Sequence, residues 1–424
     1  MKHKNNIETE ILDKKPIFLL FITILLMIST VISSSQDILP GTLGNTISFS
    51  IYLLFLGVYI WMYSEFELPK KPVMAFAGIY FVFLVGFIRD SMGLINHPSS
   101  YLFSASDAQL FIHTAEVASF IIGSITLVFI FPKVIRRDWF VIVLVAISTT
   151  SIFLGIPAYL IGDYTFFGVN INTYTTLEPL RQYGIRIPAL ASIWGDANAM
   201  SKFALAGLLG SHYLYTRFRS NSWLLLLGLH ALGLFIANSK MAVIAAILTY
   251  SVYFVYKIFG KSNAIVYLII SGIAGSILFC LIIMGIGTDA FVSSVGFSAR
   301  VALWRASIFT FSKHPIIGVG IHNVGNTISA YTTVSSLAPQ NSYLAIFVAG
   351  GIVGGILYLW VIITYVFKYI QIIDTESDLL MLCLLISFIL VQFTDTAHVF
   401  GVNKNALVFA VTLGYVITEV HNRV

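Results

Sequence analysis

Apolar runs of about 18 residues or more recur along nearly the whole chain, each long enough to cross a bilayer as a helix. Lipid offers no partner for backbone polar groups, so only helices or closed barrels can span it. Continuous rather than alternating apolar runs select helices. Charged residues make up only 10% of the 424 residues, where a soluble domain carries roughly a quarter. The reading is an all-α, polytopic integral membrane protein: a single transmembrane domain over residues 1–424.

Twelve candidate spans run over residues 16–34, 47–63, 72–89, 109–131, 139–161, 193–216, 222–237, 241–258, 264–287, 342–368, 379–395 and 403–420. The run after Lys14 and Lys15 lacks a small-x-small cleavage site and reads as the first helix rather than a cleaved signal. Two linkers are long, 162–192 and 288–341. With the N-terminus inside, the short cytoplasmic segments hold the cations Lys70, Lys71, Lys133, Arg136, Arg137, Arg217, Arg219, Lys257, Lys261 and Lys368. Short loops on the other side are nearly free of them, which obeys the positive-inside rule. Both termini are then cytoplasmic, and both long loops lie on the periplasmic or external side.

Those long loops nonetheless keep Arg181, Arg186, Arg300, Arg305 and Lys313. Cations held outside against the topogenic preference point to an anionic ligand, although long loops also translocate regardless of charge. The first loop leads through Gly195, Asp196 and Asn198 to Lys202, one turn further on. Asp196 reads either as part of a polar site or as a helix N-cap, and Lys202 either as a site cation or as a snorkelling side chain. Asn238, Ser239 and Lys240 form a tight external turn between two spans. In the second loop Arg300, Trp304 and Arg305 fall on a helical repeat that predicts a short amphipathic helix on the membrane surface, with Trp304 as its interfacial anchor. His314 and Pro315 end it, and Gly318 and Gly320 allow a tight return. Gly350, Gly351, Gly354 and Gly355 have the small-xxx-small spacing of a helix-packing face. His113 with Glu116, His230, and Asp395 with His398 are ionisable groups inside or beside spans, where such groups are costly and usually paired or functional. No metal-ligand spacing and no phosphate-cradling loop stands out, so no metal or cofactor is expected. Nucleic acid is not an expected partner.

Four stretches carry a family resemblance. "GDANAMSKFA" is similar to an Asp-Pro-Asn element, with Ala197 in the proline's place, and "NSKMAV" to a Ser-Arg turn, with Lys240 for arginine. "ARVALWRASIFTFSKHPIIGVGIHN" resembles an Arg-x3-Trp…Pro-x2-Gly-x-Gly signature. "QNSYLAIFVAGGIVG" resembles a His-Asn-x9-Gly-x2-Gly element in which Gln340 replaces the histidine. In this order they resemble the O-antigen ligase/polymerase family, the Wzy-like and lipid A-core ligase membrane proteins.

The resemblance implies a GT-C-like glycosyltransferase acting on undecaprenyl-diphosphate-linked glycans outside the bacterial cytoplasmic membrane. Arg186, Arg300, Gln340 and Asn341 would be catalytic. Arg181, Asp196, Asn198, Lys240, Arg305 and His314 would bind the diphosphate or glycan. A chain-length regulator and a flippase are the implied protein partners. The ligases' histidine is absent, and Gln340 cannot serve as a general base near neutral pH. That favours a polymerase of O-antigen or surface polysaccharide repeat units over a ligase. A lipid-linked glycan transporter is the alternative from another class; it predicts repeated broken helices in paired halves, and no such repeat is visible.

Overall fold

The computed structural model describes residues 17–33, 41–62, 68–92, 107–175, 188–288, 292, 297–334, 338–396, 398–401 and 404–423. Each of the twelve apolar runs falls largely on a helix. The first half of the chain gives α1 (Ile17–Ser33), α2 (Gly41–Met62), α3 (Lys70–Ser91) and α4 (Asp107–Ser124). A π-helical turn, Ile125–Ile130, carries α4 into the short α5 (Phe131–Val134), and α6 (Arg137–Ile161) follows. The second half gives α7 (Ala197–Phe218), α8 (Asn221–Ile236), α9 (Lys240–Met284), α10 (Ser298–Lys313), α11 (Val324–Ser329), α12 (Ser342–Ile372), α13 (Glu376–Val391) and α14 (Lys404–Arg423). Five stretches are long and apolar enough to cross a membrane as they stand: 70–89, 113–134, 137–161, 240–284 and 342–372. This is a helical membrane protein. α9 holds two of the expected spans, because Gly260, at φ 81° and ψ 177°, breaks it in the middle.

The chain is not wholly helical. The 162–192 linker carries β1 (Tyr164–Phe166), β2 (Val169–Thr175) and β3 (Pro188–Ser192) in one antiparallel sheet of order β1-β2-β3. Its cause is local. "VNINTYT" is rich in β-branched residues, and Phe167-Gly168 closes a two-residue turn with φ 49° and 79°, the positive values a right-twisted hairpin prefers. β3 packs on α6 and α7, so the sheet fixes the entry to α7.

α7, α13 and α14 form the centre, buried on nearly every face. Close approach depends on small residues. A Cβ on Gly207 of α7 would lie 2.1 Å from the His230 ring of α8 and 2.5 Å from Ser148 Oγ of α6. His230 itself is fully buried and held by Leu226 O, Ser211 and Thr149, so it is a packing histidine. At one end of the bundle Arg137 ties four helices to α6. It donates to Asp378 (2.7 Å), Glu419 (3.0 Å), Tyr213 (2.9 Å) and Tyr369 (3.3 Å).

Two expectations change, one for the 288–341 linker and one for α12. α10 is not a surface helix anchored by Trp304. Trp304 is only 2% exposed and packs among Phe279, Phe297, Val301 and Ile282, seating α10 against the end of α9. Nor do the glycines of α12 only pack helices. Gly351 adopts φ 61° and ψ −161°, which opens α12 and strips its carbonyls of helical partners. The segment after α10 fills the gap. Val319 and Gly320 donate to Val348 O and Ala349 O at 2.9 Å, and Ile352 N donates back to Pro315 O at 2.7 Å. This explains the Pro-x2-Gly-x-Gly pattern: a Cβ on Gly318 would lie 2.5 Å from the Ala349 carbonyl, and one on Gly351 2.2 Å from Ile316 O. Gly351→Ala is therefore expected to cost about 3 kcal/mol, the upper end for a backbone region that only glycine occupies freely. A fall in melting temperature in detergent checks it; an unchanged melting curve refutes it.

Candidate active site

Several of the polar residues singled out in the sequence lie close together where α7, α9, α10 and α12 begin. Asp196 is the N-cap of α7, accepting from Asn198 N (3.0 Å) and Ala199 N (3.3 Å). Its capping role is thus real, and it also contributes negative potential to the site. Asn198 Oδ1 accepts from Ser239 Oγ at 3.2 Å, which joins the start of α7 to the Asn238–Ser239 turn before α9. That turn needs Asn238 at φ 52°, a left-handed value asparagine tolerates.

One turn into α7, Lys202 is 3% exposed and donates to Asp395 Oδ2 at 2.6 Å. It does not snorkel; a carboxylate from the far end of the sequence meets it. Asp395 is held in turn by Thr396 N at Oδ1 (2.7 Å), and its backbone carbonyl accepts from Ser342 Oγ (3.0 Å).

Arg300, in the first turn of α10, lies above this pair. Its Nε donates to Gln340 Oε1 at 3.0 Å, and its guanidinium sits 5.1 Å from the centre of the Phe297 ring. Among the described residues its two terminal nitrogens make no hydrogen bond, which leaves four N–H donors for a ligand. Partial burial lowers its pKa while the fields of Asp395 and Asp196 raise it; a guanidinium stays charged throughout. Arg300, Lys202, Asp395, Asn198 and Ser239 line one small cavity of about 10 Å³, room for about one water. That volume is too small for anything larger, so a bigger ligand would have to sit outside it.

Gln340 and Asn341 divide their work. Gln340, at φ 48°, faces Arg300. Asn341 is 1% exposed and committed on both sides: Oδ1 caps α12 through Leu344 N, and Nδ2 donates to Phe393 O, both at 2.9 Å. It clamps the wall that carries Gln340.

Other expected residues are not brought in. Arg305, five positions beyond Arg300, points roughly 140° away around the helix and donates to Ile283 O at 2.9 Å, fastening α9 to α10. His314 caps the far end of α10, about 20 Å along the axis from Arg300. Lys240 opens α9 but does not line the small cavity. Arg181 and Arg186 lie outside the described residues. Among the described residues no group of three His, Cys, Asp or Glu could hold a metal ion. Lys202, open between two readings in the sequence, Asp395, which the family motifs do not mark, and Ser239, from the turn similar to the Ser-Arg element, join the others here. Asp395 carried a signal, as an acid at the end of an apolar run.

His398, three residues past Asp395, is 6% exposed and accepts from Phe400 N at 3.3 Å. Burial pushes its imidazole from the usual 6.5 down to about 4. The unfolded chain takes up a proton in that window that the folded chain refuses. The stability tied to neutral His398 is therefore whole above pH 6.5 and lost as pH falls toward 4, by up to roughly 3 kcal/mol. Melting temperature followed over that range is expected to fall less steeply in His398→Gln than in the wild type; parallel slopes refute it.

No curated protein matches the chain. A family model does: residues 223–359, which hold Ser239, Arg300, Gln340 and Asn341, match the model described as O-antigen ligase (Wzy_C), so this segment, about a third of the chain, is similar to that family.

Proposed function

We propose that the chain is a glycosyltransferase of the cytoplasmic (inner) membrane that joins oligosaccharide repeat units carried on undecaprenyl diphosphate, on the periplasmic or external side. In this reading all twelve apolar runs cross the bilayer, in a GT-C-like arrangement with both termini cytoplasmic. The observation that carries it is Arg300: a half-buried guanidinium with its terminal N–H groups unused by the described residues, held by Gln340 over the Lys202–Asp395 pair. A fork of donors in a partly dry site suits a diphosphate, whose charge grows as it leaves. Arg181 and Arg186, in the segment leading into β3, would add cations, and Lys240 one more from the start of α9. The acceptor hydroxyl attacks the anomeric carbon, the bond to the diphosphate oxygen breaks, and the hydroxyl proton leaves with the diphosphate. Gln340 orients the hydroxyl without taking its proton.

Polymerase is favoured over ligase because Gln340 stands where the resembling ligases place a histidine. The ligase description of the matching family model keeps transfer to a lipid acceptor as the second reading. The transporter reading finds no support in that match. The test incubates purified protein with lipid-diphosphate-linked repeat units, with and without a lipid acceptor, and resolves the products by length. A ladder without added acceptor supports polymerisation. A single transfer that needs the acceptor supports ligation, and no product in either arm overturns the enzyme reading.

A further inference from the structure

α7 begins at the candidate active site and ends, about 30 Å away, at a second polar feature. There a cavity of about 310 Å³ opens between α5, α6 and α14. Its lining includes Lys133, Arg136, Arg137 and Arg217, against the carboxylates of Asp138 and Glu419.

These cations are unequally matched. Arg137 is committed at 2.7 Å to Asp378 and 3.0 Å to Glu419, so it belongs to the scaffold. Arg136 and Arg217 instead share one oxygen, Asp138 Oδ2, at 3.9 and 3.5 Å. That carboxylate is further engaged through Oδ1 by the Tyr213 hydroxyl at 2.6 Å. Two guanidiniums on one distant oxygen retain most of their capacity for charge-assisted bonds. Their side chains are 45% and 38% exposed, so a ligand can reach them. The cavity also meets the N-terminus of the 25-residue α6, whose N-cap, Arg136, supplies no side-chain acceptor. Its first N–H groups add to the positive field. The volume lies at the lower end for small-molecule sites, enough for a phosphate bearing a glycerol-sized substituent.

We propose that this cavity binds a phosphate-ester anion, between Arg136 and Arg217 and over the start of α6, as a site separate from the transfer centre. Two sources share that chemistry, an anionic phospholipid headgroup and a soluble phosphate. The cavity's place at the ends of apolar helices puts it within reach of headgroups.

The test uses the full chain in a neutral glycoside detergent, with the probes radiolabelled dioleoyl-phosphatidylglycerol, dioleoyl-phosphatidylcholine and inorganic phosphate. Wild type is compared with the double variant R136Q/R217Q, and unfolding curves verify that both are folded. Arg217→Lys, which keeps the charge, guards against a merely structural loss and is expected to keep most of the binding. The expected result is binding of phosphatidylglycerol in preference to phosphatidylcholine, weakened at least about tenfold in the double variant, as the loss of charge-assisted bonds implies. Inorganic phosphate bound with the same dependence on Arg136 and Arg217, without preference between the lipids, supports the site and assigns it to a soluble ligand. Equal binding of every probe by wild type and folded double variant overturns the proposal. Loss of glycan transfer with this binding intact would fall on the transferase reading alone.

Discussion

Arg300→Ala is expected to lower the rate of glycan transfer about 100- to 1000-fold, the usual consequence of removing one donor aimed at developing charge. The geometry makes the effect separable from folding. Arg300 is half-buried, its one protein hydrogen bond among the described residues goes to Gln340, and it rests on the Phe297 ring. Losing that bond and the ring contact should cost about 1–2 kcal/mol of stability. The rate loss corresponds to roughly 3–4 kcal/mol. The melting temperature should therefore move little while kcat falls steeply. Arg300→Lys keeps the charge but not the planar fork that meets two phosphate oxygens side by side while Nε holds Gln340. An intermediate rate is expected. Single-turnover assays with lipid-linked repeat units, beside melting curves, check both variants. A rate within threefold of wild type for Arg300→Ala would remove this residue from the chemistry.

The helical fold was legible because it rests on composition and period: an apolar run of span length has few alternatives to a helix. The break at Gly260 was legible as the gap between two runs. The sheet in 162–192 is the part of that linker least visible beside its cations, although "FGVNINTYT" carries a hairpin signal in its Phe167-Gly168 turn. Arg300 and Gln340 were nameable from motifs that lie close together in sequence. The role of the glycines around Gly351 was not, since a helix that opens to accept Val319 and Gly320 depends on a partner about thirty residues away. Arg305 parts from Arg300 for a geometric reason: a charge five residues from another on a helix faces elsewhere. Lys202 was left open because its fate hangs on Asp395, nearly two hundred residues later, which no local pattern reports.

That pair gives the second large effect. Lys202 is 4% exposed at its side chain and Asp395 24%, and they meet at 2.6 Å. Removing one partner of a buried pair costs about 3–5 kcal/mol, because the other charge is left without compensation. The two halves should not cost the same. Asp395→Asn strands Lys202, which has no other charged partner among the described residues, so the full penalty is expected. Lys202→Met leaves Asp395 less stranded, because Thr396 N holds one oxygen, solvent reaches the group and the Arg300 field is close by. About 1–3 kcal/mol is expected there, the range for an unsatisfied buried acceptor. The double variant Lys202→Met/Asp395→Asn removes both charges and should recover much of the larger loss. A double-mutant cycle on detergent melting curves would then give a coupling of up to about 3 kcal/mol. Single-variant costs that simply add would show that the two charges do not act as a unit. The same variants also probe transfer. Without Asp395, Lys202 loses the partner that fixes its position beside Arg300, so Asp395→Asn should slow transfer even at temperatures where it remains folded.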